Sequence, residues 1–155
     1  MTMPSPLVIG FGNLLRSDDG AGVWLAEQLQ AQHTSMQVLA CQQLTPELAA
    51  AVGAAKAVLF VDASAADSAD DSKAPRLRPI AAESVAEAGA EPISHGLSPT
   101  RLLALTAALY GNCPPAWELL IPGQVWEIGE GLSRTAAETS RAALPLVLAW
   151  GASHA

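Results

Sequence analysis

Two adjacent acids, Asp18 and Asp19, stand in the run Gly10-Phe11-Gly12-Asn13-Leu14-Leu15-Arg16-Ser17-Asp18-Asp19-Gly20-Ala21-Gly22. Glycines at the end of a strand let the backbone turn tightly and approach a ligand. A phosphate at the helix start that follows would meet both acids. The ribose-binding acid that a dinucleotide site carries about twenty residues further on is also missing, with only Gln, His and Ser in that region. The pair suits a cation better, since a carboxylate at a helix start stays ionised and can ligate one. A further acid, Asp62, closes the apolar run Ala57-Val58-Leu59-Phe60-Val61. Burying it unpaired would be expensive, so it faces a cleft or takes hydrogen bonds. His95 lies in Pro92-Ile93-Ser94-His95-Gly96-Leu97-Ser98-Pro99, a loop ahead of a helix cap, where Gly96 leaves room for close approach. Each has an ordinary reading too: a cap and a surface acid, an Asx-type turn, a surface histidine. Together, two carboxylates and one imidazole fit a borderline divalent ion, zinc or nickel, with coordination positions left open. The sequence has no HExxH, no GxSxG elbow and no spacing that pairs a serine nucleophile with His95.

These residues need elements that carry them to one place. Leu7 to Phe11 reads as a buried strand ending in glycines, and Asp18 to Gln32 has helical spacing at Val23, Ala26 and Leu29, with Ser17 or Asp18 as its cap. Met36 to Cys41 is a second candidate strand, and Thr45-Pro46-Glu47 opens a second helix with threonine as cap. The strand Ala57–Val61 ends on Asp62, and Ala63 to Pro75 is small, polar and acidic, as an exposed loop is. Arg76 to Ile80 alternates like an edge strand, Ser98-Pro99 caps a helix to about Tyr110, Trp117 to Ile121 is a strand, and Ser133 to Leu148 is a terminal helix bent at Pro145. Alternating strands and helices imply a largely parallel sheet covered on both faces. Function in such sheets gathers beyond the carboxyl ends of the strands, where the Gly10 loop and Asp62 both fall.

The bulk composition bounds the function. At 155 residues, half of them hydrophobic and 15% charged, the chain fits one domain, residues 1–155, with a sizeable core. A net charge of -7 would repel a phosphate backbone and argues against nucleic acid as a partner. Cys41 and Cys113 are spaced neither as a metal knuckle nor as a disulfide framework, and read as reduced core thiols. The four tryptophans read as core, although Trp126 and the segment to Gly131 can also border a groove. Met1 to Pro6 lacks a signal-peptide pattern, and Leu144 to Trp150 is too short to span a bilayer. The expectation is a cytoplasmic monomer with no membrane association. His33 is placed at the end of the first helix and His154 in the tail.

The stretch GFGNLLRSDDGAG resembles the opening motif of the hydrogenase maturation endopeptidases, which process nickel–iron hydrogenase large subunits. The likeness continues, in order, through Gln43-Leu44-Thr45-Pro46-Glu47-Leu48, Val61-Asp62-Ala63, Ser94-His95-Gly96 and Gly129-Glu130-Gly131-Leu132-Ser133. The resemblance implies a three-layer α/β/α sandwich around a twisted, mostly parallel sheet of about five strands. It places metal contact and catalysis on Asp19, Asp62 and His95, gives Gly12 and Asn13 a part in shaping the site, and leaves Asp18 without a defined role. The activity implied is removal of a C-terminal extension from a large-subunit precursor that already holds nickel. The metal is then supplied by the substrate rather than kept by the enzyme. The alternatives are a nickel checkpoint or carrier that binds the precursor without cutting it, and a nucleotide module built on the first glycine loop.

Overall fold

The computed structural model describes residues 4–32, 34–65, 74–83 and 97–155. Strand β1 (Pro6–Phe11) has no polar face, as a strand covered on both sides requires, and it lies between β2 (Gln37–Cys41) and β3 (Ala57–Ala65). β5 (Ala116–Gly123) pairs parallel to β3, and β4 (Arg76–Ile80) pairs antiparallel to β5, giving the order β2-β1-β3-β5-β4. The Arg76–Ile80 strand is thus the edge strand its alternation suggested. β3 runs three residues beyond Asp62, because Asp62 to Ala65 find partners in Leu120 to Gly123 of β5. Asp62 is therefore held within a strand rather than at its end. The rest of the acidic stretch, residues 66–73, lies outside the described residues, as does His33.

Helix α1 (Ala21–Ala31) and the terminal helix α4 (Arg134–Ser153) cover one face of the sheet. Leu25 and Leu29 of α1, with Val147 and Trp150 of α4, pack there on Val8, Leu59, Val61 and Ile121. Helices α2 (Ala49–Ala54) and α3 (Pro99–Tyr110) cover the other, where Val52, Leu102 and Leu103 meet Leu7, Ile9, Val58 and Phe60. The three layers and the mostly parallel five-stranded sheet are those expected. Cys41 and Cys113 are half-buried against the second layer. No helix of the described residues is long and apolar enough to cross a membrane.

Several ends differ from the sequence reading. Ser98 caps α3 as expected, its Oγ accepting from the Arg101 amide at 3.2 Å. Thr45 bonds the Glu47 side chain instead of a main-chain amide, and Pro46–Leu48 is a 3-10 turn leading into α2. A 3-10 turn, Ser17–Gly20, also precedes α1, and neither Ser17 nor Asp18 caps that helix. Helix α4 passes through Pro145 and continues to Ser153, because Trp150 and Gly151 are buried, Gly151 against Met36. His154 is not a free tail residue. It ends α4, with its ring 4.5 Å from that of Trp117 and 4.9 Å from that of Trp150.

Candidate functional site

The order β2-β1-β3 places the crevice between diverging connections beyond the carboxyl ends of β1 and β3. Gly12 leaves β1 with φ +144°, a backbone state that L side chains rarely adopt, and a Cβ there would strike the Asp19 carbonyl. Gly22 lets α1 settle directly on the sheet, since a Cβ would collide with the Val61 and Phe11 carbonyls. The two glycines therefore bring the first loop, the 3-10 turn and β3 together. The Asn13 amide donates to Asp19 Oδ2 at 2.8 Å, and Asn13 Oδ1 accepts from the Leu15 amide at 2.9 Å. Gly12 and Asn13 thus shape the setting of Asp19, one by its backbone and one by its amide.

Asp19 and Asp62 line one pocket of about 350 Å³, with Gly12 and Asn13 on one wall and Gln42, Gln43 and Leu44 on another. Arg16 also lines it, a cation that sequence reasoning did not single out. Its guanidinium is held by the Trp126 carbonyl at 3.4 Å. Burial pushes the Asp62 carboxyl up to about 7; the Ala63 amide opposes the rise, and the negative charges of Asp19 and Glu118 add to it. Two acids in a confined space, one of them resisting ionisation, form a donor set that a cation would relieve. His95, the third expected ligand, lies outside the described residues. Among the described residues no group of three or more His, Cys, Asp or Glu gathers to hold an ion.

Asp18 does something the sequence did not disclose. It is fully buried, and its carboxylate accepts from the amides of Gln124 (2.7 Å), Val125 (2.9 Å) and Ser133 (2.6 Å) and from Ser133 Oγ (2.8 Å). Burial alone would raise this carboxyl, but the amides of Gln124, Ser133 and Val125 outweigh it and hold the group below the usual range. The Asp18 amide in turn donates to the Val125 carbonyl at 2.9 Å. Ser17, strained at φ +53°, donates from its amide to Gly129 and from its hydroxyl to Glu127. Residues 12–20 are thereby fastened to residues 124–133. Neighbouring acids divide the work: Asp18 ties the loops, and Asp19 faces the pocket. No spacing rule pairs residue 18 with residue 133, although both fall within the motifs that the resemblance picked out.

No protein-family model matches the chain, and no curated protein sequence does. Solved structures do. The hydrogenase maturating endopeptidase HybD from E. coli superposes with a TM-score of 0.71 at 20% identity, over 94% of this chain and 90% of that one. The [NiFe] hydrogenase maturation protease HycI from Thermococcus kodakarensis KOD1 gives 0.69 at 19%, over 92% and 89%. The hydrogenase 2 maturation peptidase from Thaumarchaeota archaeon SCGC_AB-539-E09 gives 0.68 at 18%, over 94% and 96%. Over nearly its whole length, this chain has the fold of the hydrogenase maturation proteases.

Proposed function

We propose that the chain is an endopeptidase of hydrogenase maturation, which removes the C-terminal extension of a nickel-loaded nickel–iron hydrogenase large-subunit precursor. One observation carries the reading: Asp19 and Asp62 line one pocket at the sheet's switch point, in a fold whose solved neighbours are named as hydrogenase maturation proteases. The ordered motifs of the sequence support it independently.

Asp19, Asp62 and His95 are the side chains that would hold nickel, brought in by the precursor. Bound there, nickel would supply Lewis-acid chemistry and would mark the precursor as loaded. The chain's own part is preparation. Asp62 is fixed by a strand paired on both sides, and Asp19 by the Asn13 amide, so neither carboxylate needs to be ordered when substrate arrives. Desolvation of Asp62 keeps the site short of negative charge until a cation enters. Asp19 and Asp62, the acids that line the pocket, oppose the nucleotide reading, since ionised carboxylates there would repel a phosphate.

The experiment is mass spectrometry of a large-subunit precursor incubated with the purified protein, with and without nickel. Loss of the mass of a C-terminal peptide only from the nickel-loaded precursor is expected. Stable binding with no change of mass would make the protein a checkpoint or carrier instead.

A further inference from the structure

β2 forms one margin of the sheet, with β1 on its inner side and no described strand on its outer side. One bond sets its parity: the Gly12 amide donates to the Cys41 carbonyl at 3.1 Å. The main-chain groups of Gln37, Leu39 and Cys41 therefore face β1. Those of Val38, Ala40 and Gln42 face outward, because successive residues of a strand alternate the side on which they bond. The outward Val38 carbonyl is taken by Gln30 Nε2 at 3.1 Å. Nothing among the described residues pairs with the outward amide and carbonyl of Ala40, which is exposed.

The opposite margin is guarded. β4 carries Arg76, Arg78 and Pro79, charges and a proline of the kind that stop further pairing at an edge. β2, Gln37-Val38-Leu39-Ala40-Cys41, has neither charge nor proline. It also leads straight into the site, since Gln42, Gln43 and Leu44 line the pocket of Asp19 and Asp62. A second hollow, about 310 Å³, borders the same end of β2, walled by Ala40, Cys41 and Gln42 and by Leu14, Leu15 and Glu27.

We infer that the peptide substrate docks as an added strand along the outer edge of β2, one side chain entering the hollow beside Leu14 and Leu15. The inference rests on the peptidase reading and gives it a binding mode. Strand addition draws affinity from main-chain bonds and selectivity from pockets for alternate side chains, and this edge offers both. A segment held extended along Val38 to Gln42 ends beside Gln42, Gln43 and Leu44, the residues through which the chain after β2 borders the pocket of Asp19 and Asp62.

The test is cleavage of nickel-loaded precursor by wild type, Ala40→Pro and Ala40→Thr. Proline at an outward position removes one donor and leaves the ladder to β1 intact, whereas threonine keeps the donor. Ala40→Pro is expected to lower kcat/KM by about tenfold or more, and to fall at least about tenfold below Ala40→Thr, which adds bulk at the same place but keeps the amide. If Ala40→Pro does not fold, Val38→Pro removes the neighbouring outward donor with the same expected loss. Failure of both to fold would show that the edge is not free, and would overturn the proposal. Wild type that leaves the precursor uncut defeats the peptidase reading itself. Wild type that cuts, with the proline variants equally efficient, defeats only the docking edge. A wild-type dimer that Ala40→Pro turns into a monomer would assign the edge to a second copy, and would also overturn it.

Discussion

Replacing Asp18 by alanine takes one buried carboxylate away from four donors, the amides of Gln124, Val125 and Ser133 and the Ser133 hydroxyl, all within 2.9 Å. Each hydrogen bond to a charged acceptor is worth about 1.5–3 kcal/mol net, but the four share one desolvated charge and do not add in full. Leaving a buried donor without an acceptor costs about 1–3 kcal/mol each, and with partial relief by rearrangement or water a total loss of about 3–5 kcal/mol is expected. For a chain of 155 residues this lowers Tm by about 6–20 °C. Asp18→Asn keeps an oxygen for Gln124 and Val125 but turns an NH2 toward the Ser133 amide, so about 2 kcal/mol is expected. The pH dependence has a fixed sign. Because the folded carboxyl is held below its ordinary value, its stabilisation is complete above about pH 4 and is lost as the pH falls through the folded value. Urea unfolding followed by tryptophan fluorescence should show the full gap between wild type and Asp18→Asn at pH 7 and a narrowing gap below pH 4. Loss of less than about 1 kcal/mol in Asp18→Ala at pH 7, or a gap unchanged at pH 3, would refute the reasoning.

Asp62 has the opposite sign. Its carboxyl is raised from 3.8 to about 7, so its cost is absent below about pH 4, grows as the pH rises and is complete above about pH 7. Asp62→Asn should therefore stabilise the metal-free protein at pH 8 by about 2–4 kcal/mol and flatten stability against pH, measured by urea unfolding in chelator; a variant no more stable than wild type at pH 8 would contradict this. Gly12→Ala forces a Cβ against the Asp19 carbonyl at φ +144°. It should lower stability by about 2 kcal/mol or more and weaken nickel-dependent precursor cleavage at least about tenfold, read by thermal melts and product mass. Wild-type cleavage in that variant would show that the loop does not set the acid's position.

The architecture was legible because it rests on apolar runs of unmistakable length. Leu7 to Phe11 and Ala57 to Val61 have no polar face, and only a sheet covered on both sides accommodates two such strands. Asp19 and Asp62 were legible as a pair because one closes the glycine loop that follows β1 and the other follows the apolar run Ala57 to Val61. The errors lie where a distant partner decides. Asp18 looked like a helix cap, yet its acceptors serve residues 124–133, a pairing that no local rule contains. β3 outran Asp62 because β5 offered a partner at every position through Gly123. The terminal helix continued past Leu148 because Trp150 and Gly151 had core contacts to make. Arg16 escaped notice because a lone arginine in a loop carries no signature until the pocket around it is known.

The central claim is that two acids and an imidazole act on one ion at one peptide bond. The decisive measurement is the mass of nickel-loaded precursor after incubation with wild type, Asp19→Asn, Asp62→Asn and His95→Gln, each first shown to be folded by circular dichroism. The account predicts a shortened precursor with wild type and an unshortened one with every variant. Normal shortening by all three variants would contradict it.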